Sequence, residues 1–398
     1  MSATAQAPSL PKRVLSIDAF RGFVMTLMLA EALHLPSLPK AFPESWIAAT
    51  IAFNTSHVAW AWGSLHDMIQ PGFSFLVGAA LPFSIAARQA KGQSFRLMAA
   101  HALWRAFLLA GLGIFLRSIG RPMTNFTFED TLTQIGLGYF VLFLLGFVPV
   151  RAQVAALVVV LAGYWVAFAL YPAPSAAFDY ARVGVPPDWP HHYQGLMSHW
   201  NKNSNLAWAF DTWFLNLFPR VRPFEFNGGG YATLSFIPTL GTMILGLLAG
   251  GWLKSERSPI EKLRGLAVAG AALVALGWVL HAAGICPVVK RIWTPAFTLW
   301  SGGIVLLMLA AFYSLVEIKG WVKWAFPIMI VGMNSIAAYV IAGTMEGFFV
   351  GAVQRHIGPA ALGVMGDPML PILRGAVVLA VIWIILYWMY KRRIFLRI

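Results

Sequence analysis

Apolar runs of about 20 residues recur from one end of this chain to the other, the length a helix needs to cross a hydrocarbon layer about 30 Å thick. They fall near 15–33, 67–87, 98–116, 132–149, 152–171, 232–253, 265–284, 297–316, 324–344 and 371–390. Lipid offers no partner to backbone N–H and C=O groups, so such segments must close their hydrogen bonds internally. The expectation is an all-α fold: a polytopic membrane helix bundle of about ten transmembrane helices, forming one transmembrane domain over 1–398. Composition agrees, since only 11% of the residues are charged, against about 25% in soluble domains.

The net charge of +14 would suit a nucleic-acid partner if it were clustered on one soluble face. With the N-terminus placed in the cytoplasm, the inner connections and the helix ends beside them carry the whole excess, while the outer side balances to zero. Lys/Arg bias sets orientation. The charge is therefore a topology signal that puts both termini in the cytoplasm and predicts no nucleic-acid partner. Lys254, Arg257, Lys262 and Arg264, and the terminal KRRIFLRI, read as anchors to an anionic leaflet. The first 13 residues have no apolar h-region, which predicts no cleaved signal peptide, and the single Cys286 excludes an internal disulfide or a cysteine-rich metal site. A bacterial inner membrane is the expected location.

Three long connections, 34–66, 172–231 and 345–370, are expected on the outer (periplasmic) side. The segment 172–231, between the fifth and sixth spans, opens with prolines and small residues and continues as HWNKNSNLAWAFDTWFLNLFPR, whose apolar spacing predicts an amphipathic interfacial helix. Its Trp, Asn, Asp and His suit either interfacial anchoring or a sugar. The glycines of TLGTMILGLLAGG predict tight helix packing in lipid.

No P-loop, GxSxG, HExxH or CxxC motif is present, so chemistry must come from ionisable groups stationed at or inside spans. Asp18 and Arg21 share a helical face at i and i+3; they either clamp each other or leave Arg21 for an anionic ligand. Arg105 either snorkels to the interface or serves the same ligand. Glu31 and His34 end the first span. The stretch HVAWAWGSLHDMIQPGF follows, with Asp67 at the first turn of the second span, where it favours the helix dipole and can orient His57 as an acid/base pair requires. Asn334, alone in an apolar run, needs a hydrogen-bond partner or costs about 1–3 kcal/mol. Lys290 and Arg291 defy the inside bias, which points to an anion or an outer carboxylate.

SIDAFRG in the first span, H-x2-W-x6-D-x3-P-x-F entering the second, TQIGLGYF, KRIWTPAF and GMNSI occur in this order over nearly the whole chain. Together they resemble the heparan-α-glucosaminide N-acetyltransferase family of membrane acyltransferases, whose bacterial relatives include the DUF5009 proteins. The resemblance implies a multi-pass enzyme that takes an acyl group, usually acetyl, from cytoplasmic acyl-CoA and delivers it to an amino-sugar across the membrane. It puts the catalytic histidine at His57, with Trp60 and Asp67 in register, and Asn334 and Lys290 within matching motifs; Asp211 resembles an aspartate of the family's long outer loop. Where the family carries an asparagine near the end of the first span, this chain reads LAEALH; the resemblance then implies that Glu31 or His34 substitutes on the acceptor side, or that the site differs there.

Under that implication His57 is either a general base or an acyl-accepting nucleophile, supported by Asp67. Asn334 and Lys290 are the expected oxyanion donors. Asp18, Arg21 and Arg105 are expected at acetyl-CoA, the acyl donor, and Glu31, His34, Trp60, Asp211 and Lys290 at the saccharide acceptor. No metal is expected, and a homodimer is compatible with the reading. A saccharide or lipid-linked sugar transporter with no covalent step is the alternative; it predicts inverted-repeat symmetry, which the sequence lacks.

Overall fold

The structure, a computed structural model, describes residues 14–358 and 366–396. The N-terminal stretch in which no signal peptide is expected lies outside the described residues. Regular structure among the described residues is helical, apart from isolated bridges joining Ala61 and Trp62 to Val289.

Helix α1 (Leu15–Leu29) continues as a helical turn to Leu33 and then bends by 48° at His34, whose φ of 49° lies in the left-handed region. Short α2 (Leu38–Ala41) and α3 (Trp46–Asn54) follow. Next come α4 (Ile69–Ala90), α5 (Phe95–Ser118), α6 (Thr131–Leu145) and α7 (Val150–Leu170). The segment after α7 carries α8 (Leu206–Phe214) and leads into α9 (Phe236–Lys254), α10 (Pro259–Ala282), α11 (Pro295–Tyr313), α12 (Phe326–Met333), α13 (Ser335–Ile357) and α14 (Leu370–Lys391). Several starts are written in the sequence. Ser94, Asp130 and Thr294 accept backbone N–H bonds as N-caps, and Ser258 with Glu261 forms a capping box.

Eight described helices are long and apolar enough to span a membrane, or nine if the bent pair at Leu15–Leu33 and Leu35–Ala41 is one span. The protein is a polytopic helical membrane protein. Two of the ten expected spans change. The segment expected at 132–149 is only the 15-residue α6, about 22 Å long at 1.5 Å per residue, too short to cross unaided. The span expected at 324–344 does not exist as one helix: α12 stops at Asn334, whose φ of −125° and ψ of 44° break the run. The crossing helix is α13 instead, so the expected 345–370 connection is helical as far as residue 357.

Two ends of the bundle can be told apart by the contacts of α1 and α14. The start of α14 meets the end of α1, where a Cβ on Gly375 would collide with Ala32 O. At the other end, the chain after α14 meets Asn334, beside the α12 that packs on α1. The first is the loop end, because the 34–66 and 171–235 segments lie there; the second, with the tight α4–α5, α6–α7 and α9–α10 turns, is the hairpin end.

The predicted glycine packing is realised between α4 and α9. A Cβ on Gly78 would strike Met243 O, one on Gly246 Phe75 O, and one on Gly250 Ala79 O. Backbones in such contact gain dispersion that lipid cannot supply. Phe75, Ala79, Met243 and Ile244 are wholly buried around this seam, at the centre of the main core.

Candidate active site

The loop after α3 is folded back on itself by its own polar side chains. Asn54 Oδ1 accepts from Leu65 N–H (3.3 Å), and Ser64 donates its hydroxyl to Ser56 O (2.6 Å). These ties bring His57 against Asp67, which stands in a 3₁₀ turn just before α4. Nδ1 of His57 lies 2.7 Å from Asp67 Oδ1. The other carboxylate oxygen accepts from the N–H groups of Val58 (3.1 Å) and Ser64 (3.0 Å). Asp67 therefore does not cap α4, as its position suggested; its carboxylate turns back to organise the loop.

A second loop closes the cluster. In KRIWTP, Thr294 donates to Pro287 O (2.6 Å) and accepts from Val289 and Phe297 N–H, which folds the turn and caps α11. The turn presents Lys290, whose Nζ lies 3.0 Å from Asp67 Oδ1 and 3.2 Å from His57 Nδ1. Arg291 donates to Val58 O (2.9 Å) and stacks on Tyr231. Burial holds the Lys290 ammonium below the usual lysine range, and the Asp67 carboxylate opposes that shift. Lys290 and Asp67 are almost sealed from solvent, whereas the His57 side chain remains 40% exposed.

The shorter of the two contacts at Nδ1, to Asp67 rather than to Lys290, favours one tautomer. A carboxylate oxygen at 2.7 Å draws the hydrogen to Nδ1 and leaves the lone pair on Nε2. His57 lines a cavity of about 780 Å³ at the loop end, together with Glu31, His66, Arg117, Glu129, Lys290, Arg291 and Glu346. His66 lies face-tilted on His57 with ring centroids 4.4 Å apart, and its Nε2 is 3.4 Å from Glu31. Burial pushes the Glu129 carboxyl upward. The wall thus offers carboxylates and cations side by side, with a histidine base among them.

A second cavity, of about 930 Å³, opens toward the hairpin end and is lined by Asp18, Arg21, Arg88, Lys91, His101 and Arg105. Asp18 and Arg21 meet at 3.2 Å, and Arg105 donates to Tyr139 OH (3.1 Å) while its guanidinium stacks on that ring. This concentration of cations is chemically matched to phosphates.

The sequence-predicted residues thus divide. His57, Asp67, Lys290 and Glu31 are brought together, and His34 lies at the rim, 3.4 Å from Glu346. Asp18, Arg21 and Arg105 share the hairpin-end cavity. Asn334 does not join His57: its side chain donates to Ile394 O (3.0 Å) and accepts from Leu396 N–H (3.1 Å) at the hairpin end. Sixteen residues of α14 separate Gly375, at the loop end, from Lys391, about 24 Å of helix. Trp60 is wholly buried, edge-on to Trp189 at 5.7 Å, and takes no part in either cavity wall. Asp211 is buried as well, accepting from Thr233 N–H (2.9 Å), and burial pushes its carboxyl up to about 7. Trp60 and Asp211, expected at the saccharide acceptor, thus lie outside the loop-end cavity wall: Trp60, from the loop before α4, packs in a cluster with Phe168 and Trp200, and Asp211 stands on α8.

Sequence reasoning missed His66, Arg117, Glu129 and Glu346 in one cavity and Arg88, Lys91 and His101 in the other. A signal existed for Arg117 alone among the four, a cation at the end of a span opposite the basic connections. Among the described residues no group of three or more His, Cys, Asp or Glu could hold a metal ion.

No protein-family model matches the chain. It is 24% identical over 387 residues to the heparan-alpha-glucosaminide N-acetyltransferase of Homo sapiens, an alignment that takes in 87% of this chain and 55% of that protein. The chain spans about half the length of this curated relative, and the similarity makes it a distant relative of that enzyme.

Proposed function

We propose that this protein is a membrane-embedded acyltransferase. It moves an acyl group, acetyl first among them, from acyl-CoA in the hairpin-end cavity to an amino-sugar or other saccharide in the loop-end cavity. The observation that carries the reading is His57, held at Nδ1 by a carboxylate that is itself pinned by Lys290, with Nε2 left as base in a cavity. The likeness to a human N-acetyltransferase supports acyl transfer as the reaction class.

In this reading Arg21, Arg88, Lys91 and Arg105 bind the donor's phosphates, as cations bind polyphosphate elsewhere. The donor's thioester supplies the activated acyl carbon. His57 Nε2 takes the proton of the acceptor amine or hydroxyl as its nitrogen or oxygen bonds to that carbon. The C–S bond breaks, and the imidazolium returns its proton to the departing thiolate. Asp67 keeps Nδ1 protonated throughout and stabilises the transient positive charge. Lys290, at the edge of the same cluster, supplies positive potential where the carbonyl oxygen gains negative charge. Direct attack by Nε2 on the acyl carbon, giving an acyl-imidazole, uses the same geometry. The carboxylates Glu31, Glu129 and Glu346 suit an acceptor bearing an amine. In orientation, the basic hairpin end faces the cytoplasm and the loop end the outer side of a bacterial inner membrane.

The test is to incubate the purified protein in lipid nanodiscs with labelled acetyl-CoA and a panel of amino-sugars, in parallel with His57→Ala. Acetylated product that requires His57 is expected. Acetyl-CoA that neither binds nor yields His57-dependent product overturns the proposal, and movement of an unmodified sugar across vesicles would favour a carrier.

A further inference from the structure

The two cavities have three wall residues in common: Phe73 from α4, Thr131 at the start of α6 and Tyr339 from α13. Each of these side chains is only half-buried. Above them lies a cavity of about 780 Å³ with His57 and several carboxylates; below them lies one of about 930 Å³ with a cluster of cations. Neither cavity is enclosed. Open space therefore runs from either cavity to the same three side chains.

We infer that Phe73, Thr131 and Tyr339 form a constriction that sorts what passes between the cavities: it admits a slender thioester arm, and it excludes bulky acyl groups and hydrated ions. The physical grounds are dimensional and electrostatic. A bilayer's barrier to ions is its low-dielectric thickness, and two open cavities that share wall residues thin that barrier. What insulation remains must sit where the cavities meet. An aromatic ring from α4 and another from α13, with a short hydroxyl side chain from α6 on the same shared wall, are suited to such a barrier. The rings present apolar bulk, and the hydroxyls of Thr131 and Tyr339 can hydrogen-bond a polar arm that enters. The sorting of acyl groups rests on the acyltransferase reading; the exclusion of ions rests on the cavities alone.

The experiment uses the full chain reconstituted in vesicles loaded with a pH-sensitive dye. Wild-type protein is expected to leak protons no faster than empty vesicles, and Phe73→Ala with Tyr339→Ala together at least tenfold faster. A folded double variant, by size-exclusion profile and melting temperature, that leaks no faster than wild type overturns the constriction, as does a wild type that leaks equally fast. Where the double variant fails to fold, Tyr339→Cys and Thr131→Cys decide the matter. The one native cysteine, Cys286, is 1% exposed and its thiol is pushed up to about 12 by burial, so the labelling background is low. A small membrane-impermeant thiosulfonate is expected to modify each introduced cysteine from both faces; modification from one face alone overturns the proposal.

Acyl sorting is read separately, by offering acetyl-CoA and benzoyl-CoA to wild type and Phe73→Ala. A rise of at least tenfold in the benzoyl-to-acetyl ratio is expected in the variant, and an unchanged ratio overturns the sorting. If wild type transfers no acetyl group at all, the acyltransferase reading fails, while the leak and labelling results still decide the constriction.

Discussion

His57 Nδ1 and Asp67 Oδ1 lie 2.7 Å apart, and that one contact sets the chemistry of the loop-end cavity. It joins a half-exposed ring to a carboxylate that solvent scarcely reaches. An imidazole paired in this way keeps Nδ1 on the carboxylate and turns Nε2 away from it. Asp67→Asn removes the charge while keeping the shape. Acyl transfer by the folded variant is expected to fall by about 10²–10⁴-fold in kcat, with a smaller change in acceptor KM. Steady-state kinetics in nanodiscs would check this, and a kcat within threefold of wild type would remove Asp67 from the mechanism.

Lys290 is the second charge of the pair, buried beside Asp67. Removing one partner leaves the other uncompensated, which costs about 3–5 kcal/mol in buried pairs. Lys290→Gln is expected to lower the melting temperature by several degrees as well as the rate. The double variant Lys290→Gln, Asp67→Asn should recover part of the lost stability, because it restores neutrality. A thermal-shift series on the four proteins measures the coupling, and simple additivity of the two losses would contradict it.

Arg105 faces the hairpin-end cavity with its guanidinium braced on Tyr139. If it binds a donor phosphate, Arg105→Gln should raise KM for acetyl-CoA about tenfold, the size of one charge-assisted hydrogen bond, and leave kcat within a factor of a few. A kcat loss with unchanged KM would place Arg105 elsewhere in the cycle.

The carboxyl of Asp211 stands at about 7 because burial disfavours its charge. A carboxyl whose folded pKa lies above its unfolded value binds protons more tightly when folded. Its contribution to stability is complete near pH 4 and is lost as pH rises to about 7, beyond which both states are deprotonated. Melting temperature should therefore fall across that window in wild type. In Asp211→Asn this part of the slope should vanish. Equal slopes in the two proteins would show that Asp211 is ionised in the fold.

Asn334 ties the break between α12 and α13 to the backbone at Ile394 and Leu396. Asn334→Ala is expected to destabilise the protein by about 1–3 kcal/mol while leaving kcat per folded molecule within twofold. A selective loss of kcat at unchanged stability would return Asn334 to the catalytic cluster.

The helices were readable because an apolar run of spanning length leaves the chain few alternatives. The pairing of His57 with Asp67 was also readable, since a ten-residue loop ending at a helix entrance can return a carboxylate to its own start. Lys290 announced itself as a cation on the wrong side. Asn334 misled because hydropathy reports that a segment is apolar and not where it stops. The run from Phe326 to Val340 is apolar on both sides of the break, and only the tertiary bonds to the chain after α14 show that the helix ends there. Trp60 was ambiguous for a different reason: a tryptophan near a membrane edge looks the same whether it meets lipid, sugar or, as here, another tryptophan. The cavity walls were readable only in part: Glu129 and Glu346 come from distant parts of the sequence and join Glu31 and Lys290 only when the bundle closes.

The glycine seam has a mechanical corollary. With Gly78 and Gly246 set backbone to backbone, α4 cannot slide on α9 without steric collision, so Phe73 is mounted on a stator. Gly136 holds α6 against the backbone of Ala106 and Ala110 in α5 in the same manner. The glycines of α13, at 343, 347 and 351, meet nothing within 4 Å. Tyr339 is thus carried by a helix held to α14 and α1 by side-chain packing around Ala337, Ala338 and Phe349, so the two rings of the constriction stand on differently built supports: backbone against backbone for Phe73, side chain against side chain for Tyr339.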